Sequence, residues 1–344
     1  MKALLIHHNE FNEPIVELSD IPIPLLKENE VLVKIHACGI CGHDVSVVNG
    51  ILKRGIKKSI VPGHEFSGTV VDLGNSSSKL KLNDRVISAL NVSCGKCENC
   101  YSSNNFRCTN NIGIGTYTNG GMAEFVAIPE TNLIKIPNEI NLLEASLFPC
   151  PIGVAFNSIG HLSKTNPIQK ILVVGAGGGL GTHILKILSP THENIIALTS
   201  SEHKVEHLKT LGAKIVLTNE NNLDFSELIY AFTEEKGSDV IFNIPGSKTF
   251  EASLRSLAID GTLLLLGEIS KHKANFPISE AIFRSATIKS VLGASKADIE
   301  NSIQYFLTHK LHPEIDSIHS LENWSVAFDR INTKQSIGRV VITP

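Results

Sequence analysis

What this sequence lacks already closes off several classes of function. A net charge of -3 and a pI near 6.5 leave no basic field for nucleic-acid phosphates, and no run of Lys or Arg is long enough to suggest a membrane surface. No apolar stretch reaches the roughly 18 residues that a membrane span requires. The opening MKALLIHHNEF lacks the basic stretch, long apolar run and small-residue cleavage site of a secretory leader. Internal repeats, low-complexity segments and long linkers are also missing. Seven cysteines are an odd number, and four of them crowd into one short segment, a pattern of thiolate metal ligands in a reducing compartment rather than of disulfides. The expectation is a cytoplasmic protein whose partners are small molecules.

What is present suits a globular enzyme: 42% of residues are hydrophobic and 19% charged. The 344 residues exceed what one ordinary core fills, which favours two domains of about 150 residues each. The first 135 residues read as short Val- and Ile-rich strands broken by Gly, Pro and Asn (MKALLIH, EVLVKIHA, FSGTVVDLG, DRVISAL, EFVAIP), an antiparallel β-rich texture. A helical stretch, LLEASLF, follows Asn141. From Gln169 to about Leu292 the strands ILVV, IIAL, KIVL, DVIFNI, TLLLLG and TIKSVL alternate with helical segments that include Ser201 to Leu211 and Phe250 to Ala258. That alternation predicts an α/β fold with a doubly wound parallel sheet. The tail offers two helices, KADIENSIQYFL and ENWSVAFDRI, and a strand, GRVVIT. Because six strands complete the parallel sheet, the predicted domains are 1–150 with 294–344 returning to it, and 151–293.

Cys94, Cys97, Cys100 and Cys108 form CxxCxxCx7C. Two-residue gaps let successive thiolates converge on one tetrahedral zinc, and four sulfurs leave no open position, so the site reads as structural. Iron–sulfur ligation, which also uses CxxCxxC runs, and accidental clustering are the competing readings. A second set is dispersed: Cys41 in HACGICGHDVSV, His64 in VPGHEFSGTV and Cys150 in LFPCPIGVAF make the Cys2His set that catalytic zinc uses with one water. Cys38 reads as a small buried hydrophobe.

The segment KILVVGAGGGLGTHILKIL is a strand, a glycine turn and an amphipathic helix, the setting in which a dinucleotide pyrophosphate rests on helix N-terminal amides. Leu180 breaks the usual register, so Gly175, Gly178 and Gly181 make GxxGxxG, with Gly177 and Gly179 in the same turn. At the end of the next strand, Thr199, Ser200 and Ser201 stand where NAD binders commonly place a carboxylate, and Lys204 can reach a 2′-phosphate, which favours NADP(H) over NAD(H). The same residues also suit a helix N-cap, with Glu202 in its first turn.

Together these features resemble the zinc-dependent alcohol dehydrogenases of the medium-chain dehydrogenase/reductase superfamily. GICGHD, GHEFSGTVVDLG, the cysteine knot, NGGMAEFVAIP, GAGGGLG, LGA at 211–213 and GRVVI fall in family order from Lys2 to the end. The resemblance implies a GroES-like catalytic domain interrupted by a Rossmann domain, a homodimer or homotetramer, and two zinc ions per chain. It implies that Cys41, His64 and Cys150 hold the catalytic zinc, that Glu65 can exchange for one of them, and that Arg339 reaches the cofactor pyrophosphate. TSSEHK is similar to the NADP-selecting loop of the cinnamyl alcohol dehydrogenase branch, and Cys150 stands where polyol and threonine dehydrogenases commonly have an acid.

The chain departs from the family in places. His43 and Ser46 stand where the proton relay usually has Ser or Thr and then His, as if exchanged, and Gly42 lacks a cationic side chain. Ala89 and Leu52 replace bulky aromatics of some members, which implies a roomier pocket. The implied activity is hydride transfer between a nicotinamide cofactor and an alcohol/carbonyl pair, with His43 the candidate proton acceptor. Two alternatives stay open: a zinc-free quinone or enoyl reductase of the same superfamily, and a zinc-ribbon redox-sensing binding protein with a vestigial dinucleotide domain.

Overall fold

A computed structural model describes residues 1–11, 13–53, 55–75, 79–102, 104–162, 169–220, 224–268 and 272–344. The chain divides into two compact units, Met1–Val154 with Gly293–Pro344, and Ala155–Leu292.

The first unit is built on a seven-stranded sheet in the order Leu133–Lys135, Arg85–Ser88, Glu65–Leu73, Glu30–Gly39, Arg339–Thr343, Ile315–Ser320, with Phe125–Pro129 also paired to Glu30–Gly39. Strand Glu30–Gly39 shows why: Val31, Val33, Ile35 and Ala37 are buried while Lys34 and His36 face out, the period-two alternation of a half-buried strand. Val31, Val33 and Ile35 join Phe66, Val70, Val126, Ile128, Val340 and Ile342 in one core, closed by Ala327 and Phe328 of the helix Trp324–Asn332. The chain's tail therefore packs in this unit, where Val341 and Ile342 pair with Gly39 and Cys38.

The second unit holds six parallel strands in the order Ile215–Thr218, Ile195–Thr199, Ile171–Val174, Ser238–Asn243, Leu257–Leu265, Thr287–Ser290. The order reverses at Ile171–Val174, whose side chains are all buried, and the glycine turn follows that strand, at the switch point where doubly wound sheets bind ligands.

Three elements differ from the sequence reading. The helix expected over Phe250–Ala258 stops at Arg255, because Leu257 enters the ladder opposite Ser238. The tail has a further strand, Ile315–Ser320, whose polar sequence IDSIHS carries little hydrophobic signal; it is an edge strand held parallel to Arg339–Thr343. Inside the β-rich part, Gly42–Val48 is a short helix that Asp44 caps against the β-branched bias of Val45, Val47 and Val48. Among the described residues no helix is long and apolar enough to cross a membrane.

Candidate active site

In the first unit, three local devices bring distant residues to one point. The strand Glu30–Gly39 ends just before Cys41, the N-cap of the helix Gly42–Val48, and the Asp44 carboxylate accepts the Cys41 N–H at 2.8 Å. His64 follows Gly63, whose φ of 97° and close backing by the Cys38 sulfur, 2.6 Å from where a Cβ would sit, admit only glycine. Cys150 lies in a π-helical turn, Phe148–Ile152, in which Pro149 and Pro151 lack the N–H groups of an α-ladder and Ile152 donates instead to Leu147, five residues back.

The result is a cluster of Cys41, His64, Glu65 and Cys150 whose ligand atoms all lie within 4.8 Å of one another. The two sulfurs stand 3.9 Å apart, and His64 Nε2 is 3.7 Å from Glu65 Oε1. Two thiolates on one tetrahedral zinc, each at about 2.3 Å, would stand about 3.8 Å apart. All seven cysteines are free thiols.

The electrostatics describe a buried knot of ionisable groups. Donation from Cys150 holds the Cys41 thiol well below its ordinary range, against the effect of burial, and the same contact together with burial pushes Cys150 well up. Burial works to lower His64, but Asp44 and Cys41 outweigh it and hold the imidazole well above its ordinary value. Burial raises Glu65 to about 8, with Arg339 opposing. Both Glu65 oxygens are buried without a hydrogen-bond donor among the described residues. Two thiols, an imidazole and an unsatisfied carboxyl around one point are what a bound zinc would satisfy, so the residues fit the ion.

The remaining predicted residues fall differently. Arg339 is 7% exposed, its Nε lies 3.2 Å from Glu65 Oε2 without hydrogen-bond alignment, and its Nη1 donates to the Ile40 carbonyl. These contacts set the Arg339 guanidinium against the metal-ligand cluster. Ser46 is buried and its hydroxyl donates to the Gly42 carbonyl at 2.9 Å. His43 is exposed, its ring edge-on to His64 at 5.5 Å between centroids. Leu52 packs beside Ile6, Val47 and Ile60, so its size is set by a local core. Cys38 is fully buried, as expected of a small hydrophobe.

Two residues escaped the sequence reading. Asp44 Oδ1 lies 3.3 Å from the Gly63 N–H and 3.5 Å from His64 Nδ1, so one carboxylate holds both ligand-bearing segments. Its position three residues after Cys41, that of a capping acid, was the available signal. Ser88 donates to the His64 carbonyl at 2.8 Å and accepts from Phe66 N–H, and no local pattern marks it.

Cys94, Cys97, Cys100 and Cys108 converge in the same unit, their sulfurs all within 4.8 Å and several pairs 3.5 to 4.0 Å apart. Backbone N–H groups of Thr109 and Cys100 bring Cys97 down to about 6, ready to ligate. The four sulfurs fit a structural zinc.

In the second unit, Gly178 caps the ten-residue helix Gly179–Leu188. A Cβ on Gly181 would lie 2.5 Å from the Gly175 carbonyl, so the helix can approach the turn only as glycine, and Leu180 sits half-buried beside it. Thr199 closes the strand Ile195–Thr199 with no carboxylate, and the stem of Lys204 crosses Gly177, its Cδ 2.5 Å from a Cβ built there. Ser200 and Ser201 are half-buried at the same strand end.

The sequence profile of the alcohol dehydrogenase GroES-like domain matches residues 27–138, and that of the zinc-binding dehydrogenases matches residues 179–308. An alcohol dehydrogenase of Geobacillus stearothermophilus is 28% identical over 99% of this chain and 98% of its own. An acryloyl-coenzyme A reductase of Sulfurisphaera tokodaii is 27% identical over 95% of this chain and 96% of its own. Among solved structures, the alcohol dehydrogenase of Aeropyrum pernix superposes with a TM-score of 0.91 over 100% of both chains at 24% identity.

Proposed function

The chain belongs to the zinc-type alcohol dehydrogenases of the medium-chain dehydrogenase/reductase superfamily and is an oxidoreductase, and from that premise we propose that it interconverts an alcohol and its aldehyde or ketone with NADP(H) in preference to NAD(H). The observation that carries the reading is the convergence of Cys41, His64 and Cys150, with Glu65 beside them, at one buried point. When bound, zinc supplies Lewis acidity toward the substrate oxygen, and the nicotinamide supplies or accepts hydride.

The chain's own residues do the rest. Cys41, His64 and Cys150 would hold the metal, with Glu65 within reach as a further ligand. Asp44 orients the imidazole through Nδ1 and so presents Nε2. His43, exposed on the helix that Cys41 caps, takes the alcohol proton and passes it to solvent. Gly175, Gly177, Gly178, Gly179 and Gly181 bring backbone amides to the pyrophosphate. Thr199, Ser200 and Ser201 receive a 2′-phosphate without repelling it, and Lys204 adds charge.

We read the protein as a cytoplasmic homo-oligomer with two zinc ions per chain. A panel of alcohols and carbonyl compounds assayed with both cofactors, alongside metal analysis, tests this: turnover and two zinc ions support it, and no turnover by any pair overturns it. The likeness to an acryloyl-coenzyme A reductase favours one second reading, reduction of an activated carbon–carbon double bond. Turnover of an enoyl thioester that survives removal of the catalytic metal would select it.

A further inference from the structure

His64 and Glu65 are neighbours in the chain, yet both carry a ligand atom into the one cluster. In a regular strand successive side chains point to opposite faces, so a straight backbone could not run through this pair. The chain bends at His64, and the strand Glu65–Leu73 begins directly after it. The ladder to the strand Arg85–Ser88 stops short of the bend: it runs from Thr69 with Arg85 to Ser67 with Ile87. At Ser88 the chain turns to its other neighbour, pairing with Leu133, and the Ala89 N–H donates to the Asn132 carbonyl at 2.7 Å.

The His64 carbonyl and the Phe66 N–H, which flank Glu65, therefore lie beyond that ladder, and the Ser88 hydroxyl serves both. It donates to the carbonyl at 2.8 Å and accepts from the N–H at 3.2 Å, with Ser88 fully buried. A hydroxyl can donate and accept at once, and burial leaves the two backbone groups no water to replace it. Across the strand's other edge Glu65 stands opposite Gly39, two residues before Cys41. Ahead of the bend, Gly120, Gly121 and Met122 donate to the carbonyls of Val61, Gly63 and Pro62. Backbone pairing thus holds the segment before His64 and after Phe66, and one side chain completes the hold on the piece between.

We infer that Ser88 is a positioning residue for His64 and Glu65, its hydroxyl fixing the peptide units on both sides of Glu65 so that two adjacent side chains are aimed at one metal. The inference rests on reading the cluster as a metal site. Both hydrogen bonds of Ser88 go to backbone, so it acts through the main chain that carries two of the cluster's four residues. Partners one step removed from a metal commonly set its affinity by about 10- to 100-fold, and one that works through backbone belongs at the lower end, about tenfold.

The test exchanges cobalt(II) for zinc in the full-length protein and follows its visible absorption and its removal by a chelator, with the four-cysteine site as the internal standard. Ser88→Ala should weaken metal binding by Cys41, His64 and Cys150 about tenfold and change the cobalt spectrum of that site, leaving the four-cysteine site as it was. Ser88→Thr keeps the hydroxyl and should restore both readouts. If the Ala variant does not fold, Ser88→Cys, of similar size but a weaker donor, takes its place and should show a smaller loss of the same kind. An affinity within about twofold of the parent, with an unaltered spectrum, overturns the inference. Equal weakening of both sites overturns it too, because a general loss of stability would give that result, and so does a Thr variant as weak as the Ala one. A parent that takes up cobalt at the four-cysteine site alone overturns the metal reading and the inference with it. None of these readouts needs turnover, so they judge Ser88 whichever way the panel of alcohols and carbonyl compounds falls.

Discussion

Changing Asp44 to Ala should loosen both ligand-bearing segments at once. The carboxylate is 1% exposed, accepts the Cys41 N–H at 2.8 Å, and lies 3.3 Å from the Gly63 N–H and 3.5 Å from His64 Nδ1. A charged hydrogen bond contributes about 1.5–3 kcal/mol, and each buried donor left without a partner costs about 1–3 kcal/mol. Counting the short contact in full and the longer ones as weaker, the loss should be about 3–5 kcal/mol. Asp44→Asn keeps one acceptor but turns an amide N–H toward a donor, so its loss should be intermediate, about 2 kcal/mol. Chemical denaturation of the zinc-loaded protein measures both, and metal analysis should show the catalytic zinc lost first.

The pH dependence supplies an independent check. In the metal-free protein Asp44 helps hold the His64 pKa above its ordinary value, so the associated stability is present below about 6.5 and is lost as pH rises through the raised value. Asp44→Ala should shrink that pH-dependent part. An Ala variant within about 0.5 kcal/mol of the parent, with its zinc retained, would refute the reasoning.

Other consequences are open to measurement. The catalytic metal must displace a proton from a raised His64 and a raised Cys150, so its affinity, measured by chelator competition, should fall steeply from pH 8 to pH 6; a flat profile would contradict the ligand set. Cys97→Ser should remove one zinc per chain and destabilise the first unit by several kcal/mol, with the glycine turn of the second unit still binding cofactor. Thr199→Asp places a carboxylate at the strand end and should shift the NADP(H) to NAD(H) ratio of kcat/KM by about 10- to 100-fold toward NAD(H); an unchanged ratio removes Thr199 from cofactor choice. His43→Asn should slow turnover by about 10²-fold and change its pH profile at constant zinc content, and an unaltered profile takes His43 out of the proton path.

Much of the fold was legible because its signals are local. Alternation in EVLVKIHA marks a half-buried strand, the run ILVV followed by glycines marks a buried strand and its turn, and Cys94 to Cys108 lie close enough along the chain that spacing alone announces a metal knot. The strand Ile315–Ser320 was not legible, because a half-exposed edge strand needs no apolar face and owes its form to the neighbour it pairs with. Asp44 and Ser88 were missed for a related reason: their partners Gly63 and His64 lie 19 and 24 residues away, and only the folded backbone makes them neighbours.

The open metal site divides along the same line. Residue types and their order suffice to name Cys41, His64 and Cys150, since soft thiolates and imidazole are chemistry that composition can reveal. Their meeting is a matter of tertiary structure: the two sulfurs are 109 residues apart in the chain and 3.9 Å apart in space, a distance set by sheet register, a positive-φ glycine and a proline-forced turn acting together. The meeting of Arg339 with Glu65 was decided there too, whereas the Ser46 hydroxyl is held locally, by the Gly42 carbonyl four residues back. Short-range backbone geometry dictates what a side chain can offer, whereas packing among distant segments dictates which partner it meets.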